Sequence, residues 1–321
     1  MKKILVCLLL TAGIFTMCGC GSSAADKSAS AETVSEGSET VSFTDDLGQE
    51  FNIQRPQRVA AMIGSFADIW CLAGGRDSLA AAAGDTWTSF DLGLGENVLN
   101  LGAVKEPNLE VLISARPDFI LASCNTSANL NLQETFAEMG ISAAYFDVQN
   151  INDYLNMLKI CTMLTGCEEN YKIYGQDVEA QVMAARERQD GSEPEVLCLR
   201  ATGSGVKAKS SRDNLLGEML KDMGCRNIAD SETGLLEELN MEAIIQADPR
   251  YIFAVMQGSN SEKAQKAFEA ALSSNPAWNE LSAVKEGRFY VLEHELFNLK
   301  PNARWGLAYE KLADILYPTT K

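Results

Sequence analysis

The stretch that decides the fold is Asn108-Leu-Glu-Val-Leu-Ile-Ser-Ala-Arg-Pro-Asp-Phe-Ile-Leu-Ala-Ser123, because it recurs 132 residues later as Asn240-Met-Glu-Ala-Ile-Ile-Gln-Ala-Asp-Pro-Arg-Tyr-Ile-Phe-Ala-Val255. Seven of the sixteen positions are identical without a gap. Each copy begins with an Asn that can cap a helix and a first-turn Glu that suits the helix dipole. A short apolar helix, a Pro-containing turn and an apolar strand follow. The repeat predicts two lobes that carry equivalent elements.

Strand and helix patterns alternate through the rest of the chain, which predicts α/β lobes with mainly parallel sheets. Residues 151–189 contain no strand pattern and predict two successive helices, the second long and charged. We therefore expect two Rossmann-like α/β lobes joined by a single long helix, with a ligand cleft between the lobes. The expected boundaries are a signal peptide over 1–19, a lipidated Cys with a flexible linker over 20–40, an N-terminal lobe over 41–166, the connecting helix over 167–190 and a C-terminal lobe over 191–321.

The N-terminus has the pattern of an export signal. Lys2 and Lys3 precede the short apolar run Ile4–Leu10, and small residues follow. The segment Met17-Cys18-Gly19-Cys20 is similar to a bacterial lipobox, with Cys20 as the residue that receives lipid. The following Ser, Ala, Glu, Thr and Gly residues predict a flexible tether. We expect an extracytoplasmic protein held at the outer face of the cytoplasmic membrane or in the periplasm; an uncleaved anchor and a plain secretory signal are the alternatives.

Charge and composition exclude several classes of function. The 321 residues include 44 acidic and 27 basic side chains, for a net charge of −17. Removal of residues 1–19 with their two Lys gives −19, which argues against nucleic acid as a partner. A single histidine, His294, opposes His-rich zinc or manganese sites and leaves any Ser/His/Asp triad dependent on it alone. We expect no enzyme, no catalytic residue, no metal cluster and no resident cofactor.

Six cysteines remain besides Cys20, and none forms a C-x-x-C pair. Most lie in apolar runs, which predicts buried small hydrophobic side chains. A bridge between Cys161 and Cys167 is a second possibility in an oxidising compartment.

With its flanking segments, the repeat resembles the class III substrate-binding proteins of ABC importers, which serve ferric siderophores, haem and cobalamin. The similarity covers residues 41–318, and its specificity comes from the order and spacing of several weak motifs. These motifs are Asn108-Leu-Glu110, Arg116-Pro-Asp118, Arg55-Pro-Gln-Arg58, Leu164-Thr-Gly166, Met223-Gly-Cys-Arg-Asn-Ile228, Pro276-Ala-Trp278 and Pro301-Asn-Ala-Arg304. The resemblance implies a ligand held between two lobes over a rigid helical spine that allows modest closure.

The resemblance also implies one outward Glu on each lobe that docks against Arg residues of the permease. Those positions fall on Glu110 and Glu242, the third residue of each repeat copy. Two carboxylates held a domain apart suit a dimeric partner. A purely capping role for both Glu residues is the alternative.

In this family, ligands contact loops at the carboxyl ends of the strands, as is usual in α/β sheets. A local basic cluster in the second half suits an anionic ligand such as a ferric siderophore or haem propionates. Ordinary surface charge on a solvated loop is the alternative. The predicted ligand-binding residues are Ser65, Trp87 and Lys105 in the first lobe, and Lys207, Lys209, Arg212, Phe297 and Arg304 in the second.

Together these features predict a monomeric, lipid-anchored receptor that captures an iron complex, with a ferric siderophore as the preferred ligand, and delivers it to an ABC permease dimer with its ATPase. Haem or cobalamin as the transported ligand is one alternative. A sensor lipoprotein that does not transport is another.

Overall fold

The computed structural model describes residues 40–90, 92–212, 214–237, 239–257 and 261–319. The predicted signal peptide, the Cys20 lipidation site and residues 21–39 of the predicted linker lie outside these ranges. Within the described ranges, no helix is both long and apolar enough to cross a bilayer.

The first half of the chain forms a hairpin and a parallel sheet. The hairpin pairs Val41 with Ile53 and Phe43 with Phe51 in antiparallel register. The sheet has the strand order β5-β4-β3-β8-β9, and every pairing in it is parallel. The strands are β1 Thr40–Thr44, β2 Glu50–Gln54, β3 Val59–Ala61, β4 Leu79–Ala82, β5 Leu99–Asn100, β6 Gly102–Ala103, β7 Glu106–Pro107, β8 Phe119–Ser123 and β9 Ser142–Phe146.

Short helices cover both faces of this first sheet. Along β3, Val59 and Ala61 belong to one apolar cluster, whereas Ala60 and Met62 belong to another. This alternation buries the strand on both sides, as a parallel sheet requires. The helices are α1 Gly64–Leu72, α2 Asp85–Ser89, α3 Leu109–Ala115, α4 Ser127–Leu130 and α5 Gln133–Glu138.

A helical spine follows the first sheet. Helix α6 Ile151–Thr165 begins at a capping box formed by Asn150 and Asp153 and ends at Gly166, whose φ is +74°. Helix α7 Glu169–Tyr171, a π turn over Lys172–Gln176 and α8 Asp177–Arg186 then form one helical run. This run corresponds to the predicted long helix, interrupted by the π turn.

The second half of the chain forms the second sheet. Its order is β11-β10-β13-β14, and β12 pairs with the start of β10. All pairings are parallel except that of β10 with β11. The elements are β10 Glu195–Thr202, β11 Gly205–Lys209, α9 Leu215–Asp222, β12 Arg226–Asn227, α10 Ile228–Ser231, α11 Gly234–Glu237, α12 Met241–Ala247, β13 Tyr251–Met256, α13 Ser261–Phe268 with a π turn to Ser273, α14 Ser282–Lys285, β14 Phe289–Leu292, α15 His294–Phe297 and α16 Trp305–Leu316.

The predicted second lobe runs to residue 321, and its final helix packs along the spine. At Gly306 in α16, an added Cβ would lie 2.5 Å from the Cβ atom of Gln181 in α8. Glycine therefore permits the close crossing of these helices. At the other end of the contact, Arg188 donates hydrogen bonds to the backbone oxygens of Ala313 and Tyr317, at 3.1 and 2.8 Å.

The repeat forms the same unit in both sheets. Helices α3 and α12 each have seven residues, and each is capped by the side chain of the preceding Asn. Both end in the left-handed conformation, with φ of 48° at Arg116 and 41° at Asp248. The strands that follow, β8 and β13, each lie inside their sheet, next to β3 and β10 respectively. The prediction of two α/β units with equivalent elements is confirmed.

All six described cysteines are free thiols, including Cys161 and Cys167. Cys161, Cys198 and Cys225 are buried. Burial raises the pKa of Cys225 to about 12, so this thiol stays protonated at neutral pH.

Candidate functional site

Elements from both halves meet at the carboxyl end of the first sheet. Asn302, which follows the last strand of the second sheet, donates its Nδ2 hydrogens to the backbone oxygen of Ser65 at 2.9 Å and to Oδ2 of Asp68 at 2.8 Å. Ser65 lies in the first turn of α1, directly after β3. This contact brings the segment after β14 onto the edge where an α/β sheet binds ligands.

The first turn of α1 is closely packed. The backbone N–H of Gly64 donates a 2.9 Å hydrogen bond to Oδ1 of Asp85, the first residue of α2. A Cβ at Gly64 would lie 2.8 Å from the backbone nitrogen of Thr86, so this approach of α1 and α2 requires glycine. Burial raises the pKa of the Asp85 carboxyl, and the hydrogen bond from Gly64 opposes that rise.

Three of the predicted ligand-binding residues lie on loops or helices that follow β3, β4 and β5. Ser65 is buried, and its backbone oxygen is used by Asn302. The Trp87 side chain in α2 is 40% exposed. Lys105 is exposed in the turn between β6 and β7. All three therefore lie toward the carboxyl end of the first sheet.

A charged cluster continues this edge past β8 and β9. Asp147 follows β9; its backbone N–H donates to Oδ2 of Asp46 at 2.7 Å, and its carboxylate accepts from the Asn125 amide. The negative charges of Asp147 and Asp153 act on Lys300, which belongs to the segment after β14. Burial lowers the pKa of the Lys300 ammonium, and these carboxylates oppose the shift.

Arg304 and Phe297 have different environments. Arg304 is exposed, and its positive charge acts on Asp68. Burial raises the pKa of the Asp68 carboxyl, whereas the Asn302 hydrogen bond and the Arg304 charge lower it. Phe297 has no exposed surface and packs in the apolar core with Leu296. Its side chain cannot contact a ligand in this conformation, because an apolar sequence position alone does not distinguish a core residue from a cleft residue.

The predicted basic cluster lies on the hairpin of β10 and β11. Lys207 and Lys209 are residues of β11, a strand that the sequence patterns did not predict. Lys207 is exposed, Lys209 is partly exposed, and Arg212 is exposed just beyond the strand. Cross-strand pairing places Lys207 opposite Arg200 and Lys209 opposite Cys198.

The two predicted docking residues have equivalent positions. Glu110 and Glu242 are exposed in the first turns of α3 and α12. Neither carboxylate has a hydrogen bond or an ion pair within the described ranges. The backbone N–H of Asn108 bonds to the oxygen of Leu101, just beyond β5, at 2.7 Å. Glu110 therefore lies toward the carboxyl end of the first sheet.

Sequence reasoning missed Arg200, Asp147, Lys300 and Asn302. Arg200 has a visible signal, since it is the one charged residue within the run Val196-Leu-Cys-Leu-Arg-Ala201. Asn302 belongs to the quoted motif Pro301-Asn-Ala-Arg304, but no local pattern indicates its contacts, because its partners are more than 230 positions away in the chain. No group of three or more His, Cys, Asp or Glu suited to a metal ion occurs among the residues that the structure describes.

Three comparisons with known proteins agree with this architecture. The high-affinity heme uptake system protein IsdE of Staphylococcus aureus is 22% identical over 232 residues, which cover 70% of this chain and 77% of that protein. The crystal structure of S. aureus SirA with staphyloferrin B has a TM-score of 0.65 at 19% identity, over 87% of this chain and 97% of that chain. A periplasmic heme binding protein from Pseudomonas aeruginosa has a TM-score of 0.65 at 19% identity, over 83% and 94%.

These structural likenesses show a shared fold, which is that of two-lobed binding proteins. The sequence model of the periplasmic binding protein family matches residues 59–296, from the first strand of the first sheet to α15. The matched range includes both copies of the repeat and the whole spine. The expectation of a binding protein that is not an enzyme is confirmed by this match. The chain belongs to the periplasmic binding protein family.

Proposed function

We propose that this protein is an exported receptor that binds an iron complex, a ferric siderophore or haem, between its two lobes and delivers it to an ABC permease. The observation that carries the proposal is the repetition of one exposed, unpaired Glu on equivalent helices of the two halves. A capping role needs no such repetition, since the caps are the side chains of Asn108 and Asn240. The names of the relatives, which refer to heme and staphyloferrin B, support this choice of ligand class.

The basic residues favour an anionic chelate over cobalamin. Lys207 and Lys209 stand on one face of β11, in a chain whose net charge is −17. Long-range repulsion by the acidic surface would disfavour an anionic ligand, so a local cationic face is needed to hold it. Cobalamin would need an aromatic cleft of low charge instead.

Docking and ligand binding are separable by mutation. We expect the double variant E110A/E242A to bind its ligand as the wild type does and to lose uptake in cells. The control E134A/E179A removes two exposed carboxylates of helices outside the repeat and should transport normally. Binding is measured by tryptophan fluorescence with haem, ferric citrate, ferrioxamine B and cyanocobalamin, and uptake with the ligand that binds. Normal uptake by E110A/E242A would refute the docking role.

Membrane attachment through Cys20 is part of the same proposal. Labelling of cells with radioactive palmitate should mark the wild-type protein, and C20A should be unlabelled and released from the membrane fraction. Equal labelling of both proteins would contradict lipidation at Cys20.

A further inference from the structure

Arg200 is a cation inside the second sheet that has no partner among the residues that the structure describes. It lies on β10, between β11 and β13, and its side chain is half-buried. Among the described residues it makes no hydrogen bond or ion pair, and no carboxylate acts on it. Burial alone lowers the pKa of this guanidinium. The desolvation cost of a cation without a counterion grows with its burial, so a half-buried arginine in an otherwise apolar strand needs an explanation.

A second cation stands directly opposite it. Arg200 and Lys207 are register partners on antiparallel strands, so their side chains project from the same face of the sheet. Lys209, two residues along β11, lies on this face as well. The hairpin therefore presents Arg200, Lys207 and Lys209 on one face. Among these, Arg200 has no ion-pair partner in the part of the chain that the structure describes.

This cationic pair lies near the ligand-binding edge. Arg200 is two residues from the carboxyl end of β10, and its row continues across the sheet through Val255 and Leu292. Leu292 ends β14, and the segment after β14 reaches Ser65 in the first lobe through Asn302. The contrast with the other end of β10 is clear, because Arg226 there is paired with Glu195 at 3.0 Å.

We propose that Arg200, with Lys207 beside it, binds a free carboxylate of the transported ligand, so that the protein selects chelates with carboxylate groups over cationic or neutral ones. This inference rests on the proposed function. The planar guanidinium can hold a carboxylate through two parallel hydrogen bonds, and Lys207 adds a point charge. A ferric polycarboxylate and haem propionates share this chemistry.

Binding measurements on the full chain test the proposal. R200Q should lower the affinity for the ligand that binds wild type, ferric citrate or haem, by tenfold or more, and R200K should recover only part of it because the planar fork is lost. R226Q is the control, because Arg226 lies on β12 beside the opposite end of β10, and it should bind as wild type does. If R200Q loses affinity for ferric citrate alone, the carboxylate that Arg200 binds belongs to a ferric polycarboxylate. If it loses affinity for haem alone, the carboxylate is a haem propionate. Unchanged affinity in R200Q overturns the proposal.

The stability of the ligand-free protein is a second, independent test. R200M removes a half-buried cation that has no ion pair among the described residues, and it should leave the thermal midpoint equal or higher, whereas a structural arginine would give a lower one. A lower midpoint in R200M therefore counts against a ligand-binding role. If wild type binds only ferrioxamine B or cyanocobalamin, this inference fails and the receptor function stands. If wild type binds none of the four chelates, both fail.

Discussion

The Nδ2 atom of Asn302 lies 2.8 Å from the Oδ2 atom of Asp68, and this hydrogen bond joins the segment after the second sheet to the first helix of the first lobe. The same amide also bonds to the backbone oxygen of Ser65, and Asn302 has no exposed surface. Its φ is 52°, a left-handed conformation that Asn tolerates better than most residues. The contact therefore depends on this residue type.

Replacement of Asn302 by Ala should lower the free energy of unfolding by about 3 kcal/mol, because two hydrogen bonds are lost and the left-handed backbone becomes strained. N302G loses the same bonds without the strain, so it should be the milder variant. Urea unfolding of the three proteins measures both differences. An N302A protein as stable as wild type would show that the contact does not stabilise the fold.

Asp68 should make stability depend on pH. Burial raises the pKa of its carboxyl above 3.8, so the folded state favours the protonated form. Asp68 therefore contributes to the free energy of unfolding when it is protonated. This contribution is complete below about pH 4, and it is lost as the pH rises through the pKa of Asp68 in the folded state. D68N cannot ionise, so its unfolding free energy minus that of wild type should grow from pH 4 to pH 7. D77N, at an exposed position, controls for net charge, and a flat difference for D68N would contradict the assignment.

Trp87 should report on the ligand site. It is 40% exposed, whereas Trp70, Trp278 and Trp305 are at most 2% exposed. Iodide should therefore quench mainly Trp87 in the free protein, and W87F should be almost unquenched. If Trp87 lines the cleft, as predicted, saturating ligand should protect it from iodide. Equal quenching with and without ligand would place Trp87 outside the site.

The paired left-handed helix ends should respond to glycine in opposite ways. R116G relieves the strain of a non-glycine residue with φ of 48°, and it should stabilise the protein by about 0.5 kcal/mol. D248G relieves similar strain but removes the acceptor of hydrogen bonds from Ser282, at 2.9 Å from its backbone N–H and 2.6 Å from its hydroxyl. It should destabilise by about 1 kcal/mol. Thermal unfolding compares them, and changes of equal sign would refute this account.

The repeat, the spine and the strand-helix alternation could be predicted from the sequence because each depends on local chemistry. Asn108 and Asn240 cap helices through bonds that span two or three residues, and apolar periodicity marks the buried strands. Strand β11 escaped prediction because Gly and Ser frequency indicates a loop, although pairing with β10 decides its state. The interruption of the spine by a π turn likewise has no simple local signal.

The chain alone therefore determined two matching halves, a helical connection and the residue types available for an anion and for docking. Only the tertiary structure decided which of those residues share a surface. It buried Phe297, set Arg200 against Lys207 with no counterion among the described residues, and brought Asn302 to Ser65 and Asp68. The reason is physical: local propensity acts over one turn or one strand, whereas a binding site is assembled from strand ends whose proximity depends on register and packing over the whole sheet.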